Sequence, residues 1–257
     1  MSSLDSSLGH FPMTQALSNP SVRLLSPSDN PPFPPLGLWS DELPLESDLH
    51  REQIDSLIRL IRWLFRPGTD RARTDVYVAG NLTVYYSPNQ KKSEFFRGPD
   101  VFVVLGTDPA PRRSWTVWHE GGLYPNLIIE LLSPSTAEVD RTEKKTLYQS
   151  VWRVPEYFWF DPVSLEFQGF SLTHGLYEPI VSTPEGWLWS EELGVYLGIA
   201  ADRLRLFAVD GQIIPFPEEA AEQRADLEMQ RAERAEAKLA RWEEKLREMG
   251  VDVDRLE

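Results

Sequence analysis

Apolar and polar positions alternate along the chain in patterns that predict first a helix and then a series of strands. Between Ser47 and Phe65, apolar residues recur at helical spacing and predict an amphipathic helix: Ile54, Leu57, Ile58, Ile61 and Leu64. Three later segments, residues 75–86, 98–106 and 126–133, are rich in β-branched and aromatic side chains and predict strands. The pattern therefore places one helix ahead of the first strands.

A second helix is predicted after these strands. Residues 139–152, VDRTEKKTLYQSVW, have helical periodicity, and residues 156–161 and 165–172 predict two strands around a DPVS turn. Two short strand-like pieces follow within residues 194–208. A sheet with one inserted crossover helix and a flanking first helix indicates an α/β or α+β arrangement.

The two ends of the chain differ in composition from its middle. Residues 1–40 are rich in Ser and Pro without a sustained period, and they predict a disordered arm. From Pro217 the chain becomes highly charged, and its apolar residues follow alternating steps of three and four: Ala232, Ala235, Leu239, Trp242, Leu246 and Met249. This is the a/d pattern of a coiled coil, and two interpretations remain open: a solvated amphipathic helix and an oligomerisation helix.

Charge and composition narrow the function classes. The chain has 26 basic and 40 acidic side chains, a net charge of −14, which argues against non-specific binding of nucleic acid over the whole surface but allows a local basic groove. It has no cysteine, which excludes disulfides, zinc–thiolate sites and cysteine nucleophiles. Without a signal-peptide pattern or an apolar run long enough to span a bilayer, a soluble cytoplasmic protein with no membrane partner is expected.

An acidic residue lies inside the most apolar predicted strand. Glu130 interrupts LIIELL, where a carboxylate is costly unless it is paired, protonated or bound to a metal ion. Asp100 opens another apolar run, VFVVL, and two carboxylates on neighbouring strands would suit Mg²⁺, which prefers one or two carboxylates together with waters and phosphates. The alternative is that Glu130 pairs with an Arg or Lys and that Asp100 belongs to a turn.

The second predicted helix carries candidate partners for these acids. Asp140, Lys144 and Tyr148 have the spacing that puts them on one helical face. In the first helix, His50 has charged neighbours, and either a structural or a catalytic role is open. Basic residues cluster around the Asp100 strand and could form a solvated rim or contact DNA phosphates: Lys91, Lys92, Arg97, Arg112 and Arg113.

Three ordered motifs resemble one family. RGPDVFVVLG, YPNLIIELLSPSTAEVDRTEKKTLYQ and VPEYFWFDP are similar to the Uma-two (Uma2) family, bacterial proteins identified as endonucleases of the PD-(D/E)XK superfamily. The resemblance covers roughly residues 40 to 250. It implies an α/β fold with a restriction-endonuclease-like core, in which helices flank a central mixed β-sheet, over residues 41–215. A C-terminal coiled-coil-like helix would follow over residues 216–257.

The resemblance also assigns roles to individual residues. Asp100 matches the PD element, and Glu130 matches the acid of the (D/E)XK element; both would be catalytic and would bind the metal ion. Leu132 stands where the pattern usually has its lysine. Lys144 on the following helix would replace that lysine, and Lys145 is the second candidate.

Further residues are implied as supporting groups. Glu46 matches an upstream acid that nucleases of this fold use for a second metal ion. Asp140 and Tyr148 match recurring family positions, and His50 remains a secondary candidate.

The function implied is that of an endonuclease that hydrolyses DNA phosphodiester bonds with Mg²⁺, or with Mn²⁺ as a substitute. If the C-terminal helix is an oligomerisation helix, a homo-oligomer, most simply a dimer, is expected. A different hypothesis is a catalytically degenerate descendant that binds DNA or protein. A third is a structural protein whose acids only pair internally.

Overall fold

Residues 47–249, the part of the chain that the computed structural model describes, contain three helices separated by two runs of six strands. The helices are α1 (Asp48–Leu64), α2 and α3 (Pro217–Glu248), where α2 joins four consecutive segments, Ala137–Val139, Asp140–Lys144, Lys145–Leu147 and Tyr148–Trp152. The strands are β1 (Val76–Gly80), β2 (Val84–Tyr85), β3 (Phe96–Arg97), β4 (Val101–Leu105), β5 (Trp115–Thr116), β6 (Leu127–Leu131), β7 (Glu156–Phe160), β8 (Phe167–Thr173), β9 (Leu176–Pro179), β10 (Leu188–Ser190), β11 (Val195–Ala200) and β12 (Arg203–Phe207).

The central sheet has six strands in the order β1-β4-β6-β7-β8-β9. Only β6 and β7 pair in parallel, since α2 crosses over between them, whereas the other neighbours are antiparallel. A three-stranded antiparallel sheet, β10-β11-β12, and a small sheet of two-residue strands, β3-β2-β5, accompany it. The predicted class, a central mixed sheet flanked by helices with a C-terminal helix after it, is confirmed.

Side chains of the central sheet alternate between two core clusters, as the pleat requires. One face packs against α1 and the β10-β11-β12 sheet and includes Val101, Ile129 and Phe158. The other face packs against α2 and includes Phe102 and Ile128. Since both faces are covered, the inner strands are apolar throughout, which explains why β4 and β6 were recognisable as uniform apolar runs.

Helix α1 forms where the apolar period predicted it. The Ser47 side chain accepts a hydrogen bond from the His50 amide and caps the first turn. The buried stripe of the helix includes Ile54, Leu57 and Ile61, all at most 3% exposed.

One predicted strand is divided in the structure. Residues 75–86 form β1 and β2 rather than a single strand, because Asn81 adopts a left-handed backbone conformation with φ of 47°. Asparagine tolerates this conformation better than most residues. The Asn81 amide donates to the Asp100 carbonyl at 3.0 Å, so the break fixes the backbone that precedes β4.

The second predicted helix is present but is not a regular α-helix. Within α2, segments Asp140–Lys144 and Tyr148–Trp152 are π-helical. The Tyr157 hydroxyl donates to the Asp140 carbonyl at 2.9 Å. A side-chain donor on a helix carbonyl is a recognised cause of such departures from the regular hydrogen-bond ladder.

Two predictions concern residues outside the described range. The disordered arm at residues 1–40 and the second-metal ligand Glu46 lie before residue 47. The proposed domain of residues 41–215 and the tail of residues 216–257 stay predictions. Within residues 47–249, none of the helices has the length and apolarity needed to cross a bilayer.

Candidate active site

Glu130 occupies the α2 side of the central sheet. Every residue of β6 is buried, and the Glu130 side chain is 0% exposed. Its neighbours two residues away, Ile128 and Leu132, belong to the core cluster that packs against α2. Because alternate residues of a strand point to the same face of the sheet, the Glu130 carboxylate also points towards the crossover helix.

Three groups contact the Glu130 carboxylate. The Tyr148 hydroxyl donates to Oε1 at 2.6 Å, and Lys144 Nζ donates to Oε2 at 3.1 Å. The Asp100 amide lies 3.2 Å from the same Oε2 atom. The buried acid is thus held by one residue from the neighbouring strand and two from the helix, which removes the objection to a carboxylate inside an apolar strand.

Asp100 lies directly before β4, across from Glu130. The register pairs Val101 with Ile129, so the next position on each strand brings the two acids opposite each other. Asp100 Oδ2 accepts a hydrogen bond from the Leu131 amide at 2.7 Å. Asp100 as a residue is less completely buried than Glu130.

Lys144 joins the strand acid to a second acid on its own helix. Its Nζ atom lies 2.7 Å from Asp140 Oδ1, and its side chain is 15% exposed. Asp140 is 1% exposed, and neither of its carboxylate oxygens has a well-directed hydrogen bond among the described residues. The ammonium is therefore the main compensation for two buried carboxylates, in agreement with the spacing of Asp140, Lys144 and Tyr148.

Burial and charge shift the titration of the whole cluster. Burial raises the pKa of Glu130 to about 7 despite the opposing charge of Lys144. Burial, reinforced by Glu130, raises the pKa of Asp140 to about 6. Burial also raises the pKa of Asp100, against the effect of Lys144. Desolvation alone would lower the pKa of Lys144, but the carboxylates of Glu130 and Asp140 outweigh it and raise that pKa.

Leu132 and Lys145 take other positions. Leu132 is 1% exposed and packs in the core cluster on the α2 side, so the usual lysine position is part of the hydrophobic core. Lys145 turns away from the acids, and its Nζ atom lies 3.5 Å from the centre of the Phe170 ring and 5.5 Å from that of Trp159. Of the two candidate lysines, the structure brings only Lys144 to Glu130.

His50 connects α1 to the end of the Glu130 strand. Its Nε2 atom lies 3.1 Å from the Leu132 carbonyl, and its Nδ1 atom lies 2.7 Å from Ser47 Oγ. Because a carbonyl only accepts, Nε2 carries a proton in this arrangement. His50 contacts backbone beyond Glu130 rather than the acids themselves.

One contributor was not singled out from the sequence. Tyr157 lies in the strand predicted at residues 156–161, and its ring is buried there, but its hydroxyl donates to the Asp140 carbonyl. A parallel pairing of the β6 and β7 segments would have placed it beside Ile128 and therefore on the α2 side. The sequence pattern did not indicate which strand pairs with β7.

The donor set fits an open site for a hard cation. No cluster of three or more metal-binding side chains occurs within residues 47–249. The two neighbouring carboxylates of Asp100 and Glu130 are nevertheless the minimum that Mg²⁺ uses when waters and substrate phosphates complete its shell. The residues therefore fit a magnesium-type site and do not fit a closed protein cage.

Arg112, among the basic residues near the Asp100 strand, has an internal partner. Arg112 pairs with Glu120 at 2.6 Å and lies over the rings of Tyr77 and Trp115. Arg97, in contrast, is exposed. The rim of the site therefore contains both structural and solvent-facing cations.

A model of a known protein family matches more than half of the chain. A family model named Uma2 and described as "Putative restriction endonuclease" matches residues 41–206. A search of the curated proteins found no match. Among solved structures, the chain is similar to a "putative nuclease belonging to DUF820" from Anabaena variabilis, with 12% sequence identity and a TM-score of 0.41, over 58% of this chain and 76% of that chain.

Proposed function

The chain belongs to the Uma2 family, and from this premise we propose that it is a metal-dependent endonuclease that hydrolyses phosphodiester bonds of DNA. The observation that carries the proposal is the reach of Lys144 to the buried acid of β6, with Nζ 3.1 Å from Glu130 Oε2. A nuclease of this type needs a cation beside its carboxylates, and position 132 cannot supply one because it is a leucine.

The two carboxylates have complementary roles in this proposal. Asp100 and Glu130 would hold Mg²⁺, or Mn²⁺ in its place, at the edge where Asp100 is partly exposed. The ion would supply a Lewis acid for the phosphoryl oxygen and lower the pKa of a bound water. Glu46, matched by the family resemblance, is the proposed ligand of a second ion.

The remaining groups hold in position the charged side chains that catalysis requires. Lys144 would orient the attacking water and stabilise the negative charge that develops on the phosphate. Asp140 positions the ammonium from one side, and Tyr148 positions Glu130 by donating to its second oxygen at 2.6 Å. His50 supports the end of the strand through the Leu132 carbonyl.

Neutral isosteres at the two acids test the proposal. In the substitutions Asp100→Asn and Glu130→Gln, metal-dependent cleavage of a DNA substrate should fall to background, because each removes one ligand charge. Both variants should remain folded, since burial already disfavours the charged form of each acid. The measurement is a cleavage assay with Mg²⁺ and Mn²⁺, with circular dichroism as the check of folding.

A matched control lies on the same helix as Lys144. Glu138 is exposed in the first turn of α2, so Glu138→Gln changes the net charge equally without touching the site. It should cleave like the unmodified protein. Unchanged cleavage by both Asp100→Asn and Glu130→Gln would contradict the proposal.

One observation favours a second candidate, a nuclease fold that binds DNA without cutting it. Both oxygens of Glu130 already contact protein groups, namely Tyr148 on one side and Lys144 with the Asp100 amide on the other. A carboxylate whose two oxygens both contact protein groups meets the requirements of a purely structural role. Retention of DNA in a mobility-shift assay, without cleavage under any divalent metal ion, would favour this candidate over the first.

A further inference from the structure

The C-terminal helix offers an apolar stripe that the rest of the chain does not cover. Helix α3 spans 32 residues, about 48 Å at 1.5 Å per residue, and none of its residues is buried. Three large apolar side chains along one side of it and at its C-terminal cap are open to solvent: Leu239 is 62%, Trp242 64% and Met249, the residue after the helix, 70% exposed. Because these three side chains lie on one stripe of a solvated helix, they indicate a surface that meets a partner.

The ion pairs that attach this helix come from its first turn and reach α1 and β12. Glu218 pairs with Arg59, and Glu219 pairs with Arg205 at 2.9 Å. The Phe216 ring lies beneath both arginines, with its centre 4.2 Å from Arg205 Cζ and 5.5 Å from Arg59 Cζ. From residue 220 to residue 249, the described side chains make no ion pair, so most of the helix is free of the domain that anchors it.

The exposed stripe has the period of a two-stranded coiled coil. Steps of three and four alternate through the six positions, which gives a-positions Ala232, Leu239 and Leu246 and d-positions Ala235, Trp242 and Met249. The preceding d-position is Glu228, which would face its own copy in a symmetric dimer and therefore ends the seam. The seam thus extends over residues 232–249.

The charges beside the stripe are sorted by sign. The g-positions, which precede each a-residue, are Arg231, Lys238 and Lys245, and the e-positions, which follow each d-residue, are Glu236 and Glu243. In a parallel pair of helices, each g-residue faces an e-residue of the partner, so Arg231 meets Glu236 and Lys238 meets Glu243. In an antiparallel pair, g faces g and e faces e, which puts like charges together. The pattern therefore selects the parallel orientation.

Two of these charges have no counter-charge on their own helix. Lys238 has Arg234, Ala235, Arg241 and Trp242 at the neighbouring positions three and four residues away. Glu236 likewise has only Ala232, Glu233, Leu239 and Ala240 at those distances. Because oppositely charged pairs within a helix form at these spacings, the arrangement does not stabilise a solitary helix at these two positions.

We propose that residues 231–249 form a parallel, two-stranded coiled coil with a second copy of this chain, held by the apolar stripe and by the pairs Arg231–Glu236 and Lys238–Glu243. The coiled coil depends on the helix alone, so its presence or absence is independent of the nuclease proposal. The partner is an identical chain, because the stripe and its flanking charges complement a second copy of themselves when the two helices run parallel.

Cysteine cross-linking of the full chain tests both the contact and its direction. The natural sequence has no cysteine, so a single introduced thiol reports without background. Ala232→Cys puts a thiol at an a-position near the start of the seam, where a parallel dimer brings two copies together and an antiparallel dimer separates them. Ala237→Cys is the matched control on the outer face of the same helix.

The expected result is a solution mass of two chains and rapid oxidation of Ala232→Cys to a covalent dimer, with little cross-linking of Ala237→Cys. A mass of one chain, or of more than two, measured by sedimentation at micromolar concentration, overturns the proposal. A dimeric mass with equal cross-linking at the two positions, or none at residue 232, overturns the parallel arrangement.

Charge reversal provides a second readout that does not depend on thiols. Lys238→Glu puts two acids opposite each other in each pair and should raise the dimer dissociation constant about tenfold or more. Adding Glu243→Lys restores the opposite charges in a parallel dimer and should return the dissociation constant towards that of the unmodified chain. A double variant as weak as Lys238→Glu alone would contradict the predicted pairing.

Discussion

At the scale of single residues, the buried carboxylate of Glu130 is explained by its shared lysine. An unpaired charge in this position would cost several kcal/mol. Lys144 compensates Glu130 and Asp140 together, at 3.1 and 2.7 Å, and is itself almost fully enclosed. Removing the lysine would therefore leave two buried acids uncompensated, whereas its neighbour Lys145 serves only to pack against aromatic rings.

The first residue-scale prediction compares these adjacent lysines. Lys144→Met should lower DNA cleavage by about a hundredfold or more, the usual effect of losing one preorganised electrostatic group. Lys145→Met keeps an unbranched apolar side chain over Phe170 and should retain cleavage. Cleavage rates are compared at equal folded fraction, determined by circular dichroism. Equal losses in the two variants would show that Lys144 has no special role.

A second buried acid lies away from the site. Glu156 in β7 is 3% exposed and accepts hydrogen bonds from the Ser190 hydroxyl and from the Glu191 amide, the latter at 2.6 Å. It thereby ties the central sheet to the turn after β10. Burial, against the opposing effect of these hydrogen bonds, raises the pKa of Glu156 from 4.5 to about 7.

The second residue-scale prediction follows from the sign of that shift. Between pH 4.5 and 7 the folded state holds the Glu156 proton more tightly than the unfolded state does, so the free energy of unfolding falls as pH rises through this window. Glu156→Gln removes this contribution. Across this pH window, the free energy of unfolding of the variant relative to that of the unmodified protein should rise by about 3 kcal/mol. Urea denaturation at several pH values measures both free energies of unfolding. If they changed with pH in the same way in the two proteins, this prediction would be contradicted.

At the scale of elements, the site depends on how β1, β4 and α1 approach one another. Gly80 ends β1 opposite Val101, beside the backbone of Asp100. A Cβ atom at Gly80 would lie 2.6 Å from the Asp100 carbonyl oxygen and 2.7 Å from side-chain atoms of Ile54 and Ile58. The close contact between these elements therefore requires glycine, since backbone cannot move aside as a side-chain tip can.

The element-scale prediction is that Gly80→Ala disturbs both packing and chemistry. The added methyl group should lower the free energy of unfolding by about 1–3 kcal/mol, the range for overpacked sites. Because the clash displaces the Asp100 backbone, cleavage should fall as well. Urea denaturation and the cleavage assay measure the two effects. A fully folded variant with unchanged stability would show that α1 and β4 separate without cost.

At the scale of the whole molecule, residues 47–249 combine a two-sided sheet unit with a helix that leaves it after one turn. Phe216 packs against the core cluster on the α1 side and lies under Arg59 and Arg205. The helix begins directly after this contact, with Pro217 in its first turn and the Phe216 amide donating to Glu219 Oε2 at 2.8 Å. The remaining turns depend on good helix formers, chiefly Ala, Glu, Arg and Lys, rather than on packing.

The whole-molecule prediction separates the anchor from the exposed length of the helix. Phe216→Ala should lower the free energy of unfolding by about 2 kcal/mol, less than for a fully buried phenylalanine. Leu227→Ala, which removes a side chain that is 48% exposed and lies off the seam, should change it by less than about 0.5 kcal/mol. Similar losses in both variants, measured by urea denaturation, would contradict the proposed anchoring.

The sequence determined much of the architecture because its signals are local. The stripe of α1, the apolar runs of β4 and β6, and the period of α3 were all readable from side-chain spacing alone. The same local spacing brought Asp140, Lys144 and Tyr148 to one side of α2. Asn81 was one exception, since its left-handed conformation divides a strand that the alternation predicted as continuous.

Only the tertiary structure decided which lysine meets Glu130 and which aromatic hydroxyl supports the helix. Lys144 and Lys145 are adjacent residues of the same type, and the choice between them depends on the orientation of α2 over the sheet. Tyr157 reaches Asp140 because β6 and β7 pair in parallel in one particular register. Contacts between residues so far apart in the chain depend on strand pairing and helix rotation, and neither is encoded in the spacing within a single segment.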